Sequence, residues 1–162
     1  MIEKTDISFG PGSRDRLAET HDRTARGAEA ALETFYHALN NRDRDVLRAD
    51  RSARPLTQLN NPLGGTLRGG DAIAELYDRI FTDPVRVRVT VTDVVAYVGD
   101  GHAVYAGREV GDYTSADGVS TPLEIRTSRY FRYEDGRWWQ YHHHGSIDDP
   151  DALRAYQRAV RG

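Results

Sequence analysis

The sequence predicts an α+β fold, a curved antiparallel sheet of about four main strands wrapped around a layer of three N-terminal helices. Two observations carry this. Up to Phe81, apolar residues recur at helical spacing. After Pro84 the period becomes two, and the glycine turns Gly99-Asp100-Gly101, Asp117-Gly118 and Asp135-Gly136 separate successive apolar runs. Helices followed by a meander of strands is the α+β pattern.

The chain is 162 residues long, the size of one domain. With 38% hydrophobic and 29% charged residues it can bury a core and is not of the disordered class. Residues 1–13 are polar and contain Gly10-Pro11-Gly12, which reads as a flexible lead-in to a single domain over 14–162. There is no cysteine, so disulfides, thiolate catalysis and cysteine-zinc sites are excluded. No apolar run approaches the ~20 residues of a membrane span, and no signal-peptide pattern opens the chain. The net charge of −3 is spread over interspersed acids and bases, unlike a nucleic-acid stripe. A soluble, cytoplasmic protein is expected, with no nucleic-acid or membrane partner.

Taken in order, Leu17, Ala28, Ala31, Leu32, Phe35, Tyr36 and Leu39 predict a helix over 14–40, ended by Asn40-Asn41. A short helix over 43–51 follows, with Asp43 as N-cap. The stretch 55–70 is irregular and glycine-rich, the kind of loop that often carries function. Ile73, Leu76, Tyr77 and Ile80 mark a third helix over 71–81. Val85, Val87, Val89 and Val91 alternate with Arg86, Arg88, Thr90 and Thr92 in a half-buried strand reaching Val98. Strands over 102–113, 122–133 and 137–147 complete the meander. Asp149 then caps a last short helix with Pro150 at its first position.

The last strand is the most informative segment. It reads Arg137-Trp138-Trp139-Gln140-Tyr141-His142-His143-His144-Gly145-Ser146. Strand alternation sends neighbouring side chains to opposite faces, so the three histidines divide between the inside and the outside. Imidazole is the side chain that most readily changes charge near neutral pH. A metal would need several convergent ligands. His142 and His144 share a face, but that spacing alone does not make a site, and no metal is expected.

Three pieces, in this order and spacing, resemble the NTF2-like superfamily, the SnoaL-like and ketosteroid-isomerase-like fold. They are Phe35-Tyr36-His37-Ala38-Leu39-Asn40-Asn41-Arg42-Asp43, Asn61-Pro62-Leu63-Gly64 leading to Gly69-Gly70-Asp71, and Asp135-Gly136-Arg137-Trp138 leading to His142, His144 and Ser146. The resemblance covers about residues 25–148. Its last strand is most similar to the calmodulin-dependent kinase association domain and small bacterial relatives. It implies a cone-like sheet, an internal pocket for a small molecule, and a homodimer or higher homo-oligomer built across the outer sheet face. It does not imply a reaction, because the fold hosts isomerases, cyclases, hydrolases, dehydratases and non-catalytic modules.

Steroid-type isomerisation needs a carboxylate base, a tyrosine donor and a carboxylic acid kept neutral. By resemblance these slots hold Asn61, Phe35 and Arg129. Phe35 cannot donate, Asn61 is no base near neutral pH, and Arg129 is permanently charged. That chemistry is rejected. An arginine in the slot of Arg129 matches the association-domain group, and two further pocket arginines of that group fall on Glu109 and Gly145. Glu109 and Arg129 lie on neighbouring strands. They can form a salt bridge that only ties the sheet, or a polar anchor for a ligand's carboxylate or hydroxyl.

If position 145 faces the pocket, alternation brings Tyr141 and His143 inside and leaves Trp138, His142, His144 and Ser146 on the outer, interface face. The opposite parity exchanges the two sets. On the first parity His143, with Glu109 and Arg129 as polar partners, is the expected acid/base group. Tyr36, Asn61, Tyr77, Tyr105 and Tyr141 are expected to line the ligand cavity. Two functions stay open. One is a cofactor-free enzyme or binding protein for a small, mostly apolar molecule, in the setting of bacterial polyketide or enediyne pathways that the resemblance implies. The other is a non-catalytic oligomerisation module.

Overall fold

The structure is a computed structural model and describes residues 1–161. Four long strands form the body of one sheet: β4 (Arg86–Gly99), β5 (His102–Thr114), β6 (Ser120–Glu134) and β7 (Arg137–Ser146). Three short strands extend its edges: β1 (Ile2–Lys4), β2 (Gln58–Asn60) and β3 (Leu67–Arg68). The order across the sheet is β1-β4-β5-β6-β7-β2-β3. Seven strands thus stand where about four were expected. The extra three hold two or three residues each, too few for a period to show. The N-terminal stretch expected as a flexible lead-in pairs with the sheet, Glu3 opposite Ala96 and Phe9 opposite Val91.

Helices α1 (Ala25–Asn41), α2 (Arg44–Asp50) and α3 (Gly70–Thr82) supply the inner layer, and α4 (Pro150–Arg161) follows the sheet. The helix expected over 14–40 starts only at Ala25, because Thr24 caps it by accepting from Arg26 N at 3.3 Å. A 3-10 turn over Leu17–His21 precedes it. The α1 face carrying Ala28, Ala31, Leu32, Phe35 and Tyr36 is fully buried. Asp43 caps α2 by accepting from Val46 N, and Asp149 caps α4 by accepting from Ala152 N at 2.7 Å. None of the described helices is long and apolar enough to cross a membrane.

Two irregularities bend the sheet into a cup. In β4 the register slips between Thr92 and Val95, where Asp93 takes a left-handed backbone with φ 52°. In β7 it slips between Gln140, opposite Phe131, and His142, opposite Tyr130, leaving Tyr141 as the extra residue. A bulge increases twist and re-aims side chains.

The second bulge overturns part of the expected face assignment. Trp138 and Gln140 point inward ahead of it, and His143 and Gly145 point inward beyond it. Tyr141 is half-buried, and its hydroxyl meets Glu134. Strict alternation had put Trp138 outside and Tyr141 inside; the single inserted residue reverses both.

Trp138 is fully buried. Its indole Nε1 donates to the Asp22 carbonyl at 2.9 Å, and its ring packs edge-on against Tyr133. Gly27 permits this close approach, since a Cβ there would lie 1.9 Å from Asp22 O and 2.8 Å from Trp138 Cδ1. Trp138→Ala is expected to cost about 3–5 kcal/mol of stability in urea unfolding, as large core truncations do. A loss under about 1 kcal/mol would show that this ring does not anchor α1 to the sheet.

Candidate functional site

A polar cluster lies buried at the floor of the cup, between α1, α2 and the inner face of β5, β6 and β7. Arg129 is at its centre and is 1% exposed. Its Nη2 donates to Glu109 Oε1 at 2.7 Å, and its Nε donates to the Tyr36 hydroxyl at 3.0 Å. Tyr36 in turn donates to Glu109 Oε1 at 2.8 Å. The guanidinium lies 3.6 Å from the Phe35 ring centre, a cation–π contact. With the amide of Gln140 oriented so that its oxygen meets donors, that oxygen accepts from Arg129 Nη1 at 3.0 Å and Arg51 Nη2 at 3.1 Å.

Arg51 brings a second guanidinium into the cluster at 4% exposure. Burial lowers its pKa, yet a guanidinium stays charged at any neutral pH. Its Nε and Nη1 have no partner among the described residues. The neighbouring Asp50 is 1% exposed, and neither carboxyl oxygen has a partner among them. Burial pushes this carboxyl up to about 7, against the pull of Arg51 and Arg137. Two guanidiniums therefore share the floor with Glu109, which is paired to Arg129, and with Asp50, whose charged form burial disfavours, so the floor is electropositive near neutral pH.

His143 sits across from Arg129 in the β6–β7 register and beside Leu59 of β2. It is 5% exposed, and neither ring nitrogen has a partner among the described residues. Burial, reinforced by Arg129 and Arg51, holds its pKa well below the usual histidine range. The ring is neutral at pH 7, so it can donate from one nitrogen and accept at the other, but it does not serve as an imidazolium acid. A Cβ on Gly145 would stand 3.3 Å from His143 Nε2 and 3.3 Å from Pro62 Cδ. The same point lies 3.1 Å from Ile125 Cγ2, so the strand packs tightly here and a larger side chain would displace its neighbours. Thr127, opposite Gly145, also has an unpartnered hydroxyl.

Above the floor, at the mouth of the cup, lies a cavity of about 520 Å3. Its walls are largely apolar, with Leu59, Leu67, Leu76, Ile80, Val87 and Val160 among them, and Arg79, Asp83 and Arg161 also border it. This is the size and character of a small-molecule pocket.

The family model of the SnoaL-like domain matches residues 28–150, most of the chain and all of the cup. The chain belongs to the SnoaL-like family. No curated protein sequence matches it. Among solved structures, this SnoaL-like protein is similar to one from Thiobacillus denitrificans, assigned as a calcium/calmodulin-dependent protein kinase type II association domain. That match has 26% identity and a TM-score of 0.64, covering 75% of this chain and 94% of the other. A protein from Streptomyces avermitilis, assigned as a dehydratase of the NTF2-like family, matches at 18% identity with a TM-score of 0.66 over 74% and 92%. A ketosteroid isomerase-like protein from Erwinia carotovora matches at 23% with 0.65 over 85% and 99%. The last two are evidence of fold alone.

The SnoaL-like cup brings Glu109, Arg129, His143 and Tyr36 together at the floor. Tyr77 is buried beside them, its ring 5.7 Å from the Arg51 guanidinium. Tyr105 is buried against Phe131, its phenol pushed upward by burial. Asn61 borders the upper cavity, but its Oδ1 accepts from Leu63 N at 3.1 Å and so shapes the turn. On the outer face His142 meets the Gln58 carbonyl at 3.2 Å, His144 is exposed, and Ser146 accepts from Arg126 at 3.2 Å. Among the described residues no three histidine or acidic side chains are grouped to hold a metal.

Arg51, Asp50 and Gln140 escaped the sequence reading. Asp50 ends, and Arg51 follows, a short helix whose inward side no pattern marks. Gln140 shares a face with Trp138, and that pairing was the available signal.

The buried pair makes a sharp energetic prediction. Glu109→Gln should destabilise by about 3–5 kcal/mol, because it strands a buried guanidinium. The double variant Glu109→Leu with Arg129→Met should cost far less than the sum of the two single changes in urea unfolding. Additive costs would show that the two groups do not depend on each other.

Proposed function

We propose that this protein binds a small organic acid with an apolar body, and that it acts on it or carries it without a cofactor. The observation behind this reading is the electropositive floor, with unpartnered donors on Arg51 and a neutral His143, directly below an apolar cavity of ligand size. A guanidinium recognises carboxylate through two parallel hydrogen bonds. The apolar walls would take the hydrocarbon part. Any chemistry would run through His143 as a neutral hydrogen-bonding or proton-accepting group, with Arg129 and Glu109 as electrostatic partners. A place in bacterial secondary metabolism fits such a ligand.

Titration calorimetry with decanoate and decanol tests the reading. The acid should bind at least about tenfold more tightly than the alcohol, a difference of ~1.4 kcal/mol. Arg51→Met and His143→Ala should each erase most of that preference while leaving the fold intact. Equal affinity for acid and alcohol, or indifference to both substitutions, would sink the proposal.

A second reading is supported by the 26% likeness to the kinase-type association domain and by the outer sheet face. His142, His144, Ser146, Tyr130 and Tyr141 lie there, half-buried or exposed, on a broad antiparallel surface. In this reading two copies associate across that face. Sedimentation at micromolar concentration should then show a dimer or larger assembly that His144→Glu dissociates. A wild-type monomer would count against it. The two readings are compatible, since one uses the inner face and the other the outer.

A further inference from the structure

None of Arg51, Arg129, Glu109, Tyr36 and His143 lines the upper cavity, whereas α4 borders it through Tyr156, Val160 and Arg161. This helix touches the cup along a single side. Tyr156 is 8% exposed, and its ring packs edge-on against Tyr113 with centres 5.3 Å apart. Ala159 and Val160 pack beside it, while Arg154 and Arg158 are exposed. Two polar contacts hold the helix down: Gln157 Nε2 donates to the Pro62 carbonyl at 2.9 Å, and Arg161 meets the Leu63 carbonyl. The segment 147–149 joins it to β7, with Asp148 held by Arg126 at 2.6 Å.

Tyr156 borders the upper cavity. Its partner Tyr113 is buried on β5, the strand that also carries Glu109. Pro62, whose carbonyl anchors α4, packs with its Cδ close to Gly145, as His143 does with its Nε2. One helix thus fastens both the stopper and the loop over the histidine.

We propose that α4 is the gate of the cup and Tyr156 its stopper: when Tyr156 swings out, the apolar cavity and the His143 floor become one continuous site. This rests on the acid-binding reading and sharpens it. The ligand class becomes acids whose apolar body is long enough to fill the upper cavity while the carboxylate reaches Arg51 and His143.

The test reads His143 directly. The full-length chain is treated with diethyl pyrocarbonate, which acylates neutral imidazole, and the His143-to-His144 modification ratio is followed by fragment mass spectrometry. His144 is exposed and serves as the internal reference. Tyr156→Ala should raise the ratio about tenfold, as expected when a local opening becomes easier. Gln157→Ala, which removes only the anchor to Pro62, should raise it by a smaller factor. This second variant decides the matter if loss of the tyrosine unfolds the chain. A ratio unchanged from wild type in the folded variants overturns the gate. Decanoate should protect His143 in Tyr156→Ala. If the ratio rises and decanoate gives no protection, the gate stands and the acid-binding reading fails.

Discussion

Arg129 is a permanent charge at 1% exposure, and much of the inner architecture answers to it. Stranding such a group costs several kcal/mol, so the surrounding elements must bring it partners. Glu109 comes from β5, Tyr36 from α1 and Gln140 from β7, while Phe35 offers its ring face. These contacts tie β5, α1 and β7 to β6. The same arginine depresses the pKa of His143 and shares the oxygen of Gln140 with Arg51. Fold and site are therefore coupled through one side chain.

The electrostatics of the floor differ from those of an enzyme that keeps a neutral carboxylic acid as donor. The three residues that the resemblance sets in the slots of a steroid-type isomerase have other roles here. Phe35 supports the guanidinium, Asn61 makes a turn, and Arg129 is committed to an ion pair. The largely apolar cavity has its own size and character, and the C-terminal helix borders it through Tyr156, Val160 and Arg161.

Much of this was legible in the sequence because it depends on local chemistry. The switch from helical to strand period, the glycine turns and the caps at Asp43 and Asp149 each state a short-range preference that the fold obeys. Glu109 and Arg129 were recognisable as a buried pair on adjacent strands, and His143 as the inward histidine. The expected inward parity held beyond position 141 and failed before it. One bulge residue decides both outcomes, and bulges leave no signal in an alternating run. The short strands β1, β2 and β3 were invisible for a related reason: two or three residues acquire their state from the partner edge.

The sequence by itself determined the class of fold and the order of its main elements. Those follow from residue identity and spacing. Only the tertiary structure decided that Trp138 is core and Tyr141 peripheral, that Arg51 and Asp50 join Arg129, and that Tyr156 borders the upper cavity. These depend on register, on where a short helix points and on where the chain end comes to rest. Such relations hold between segments far apart in the chain, and no single segment encodes them.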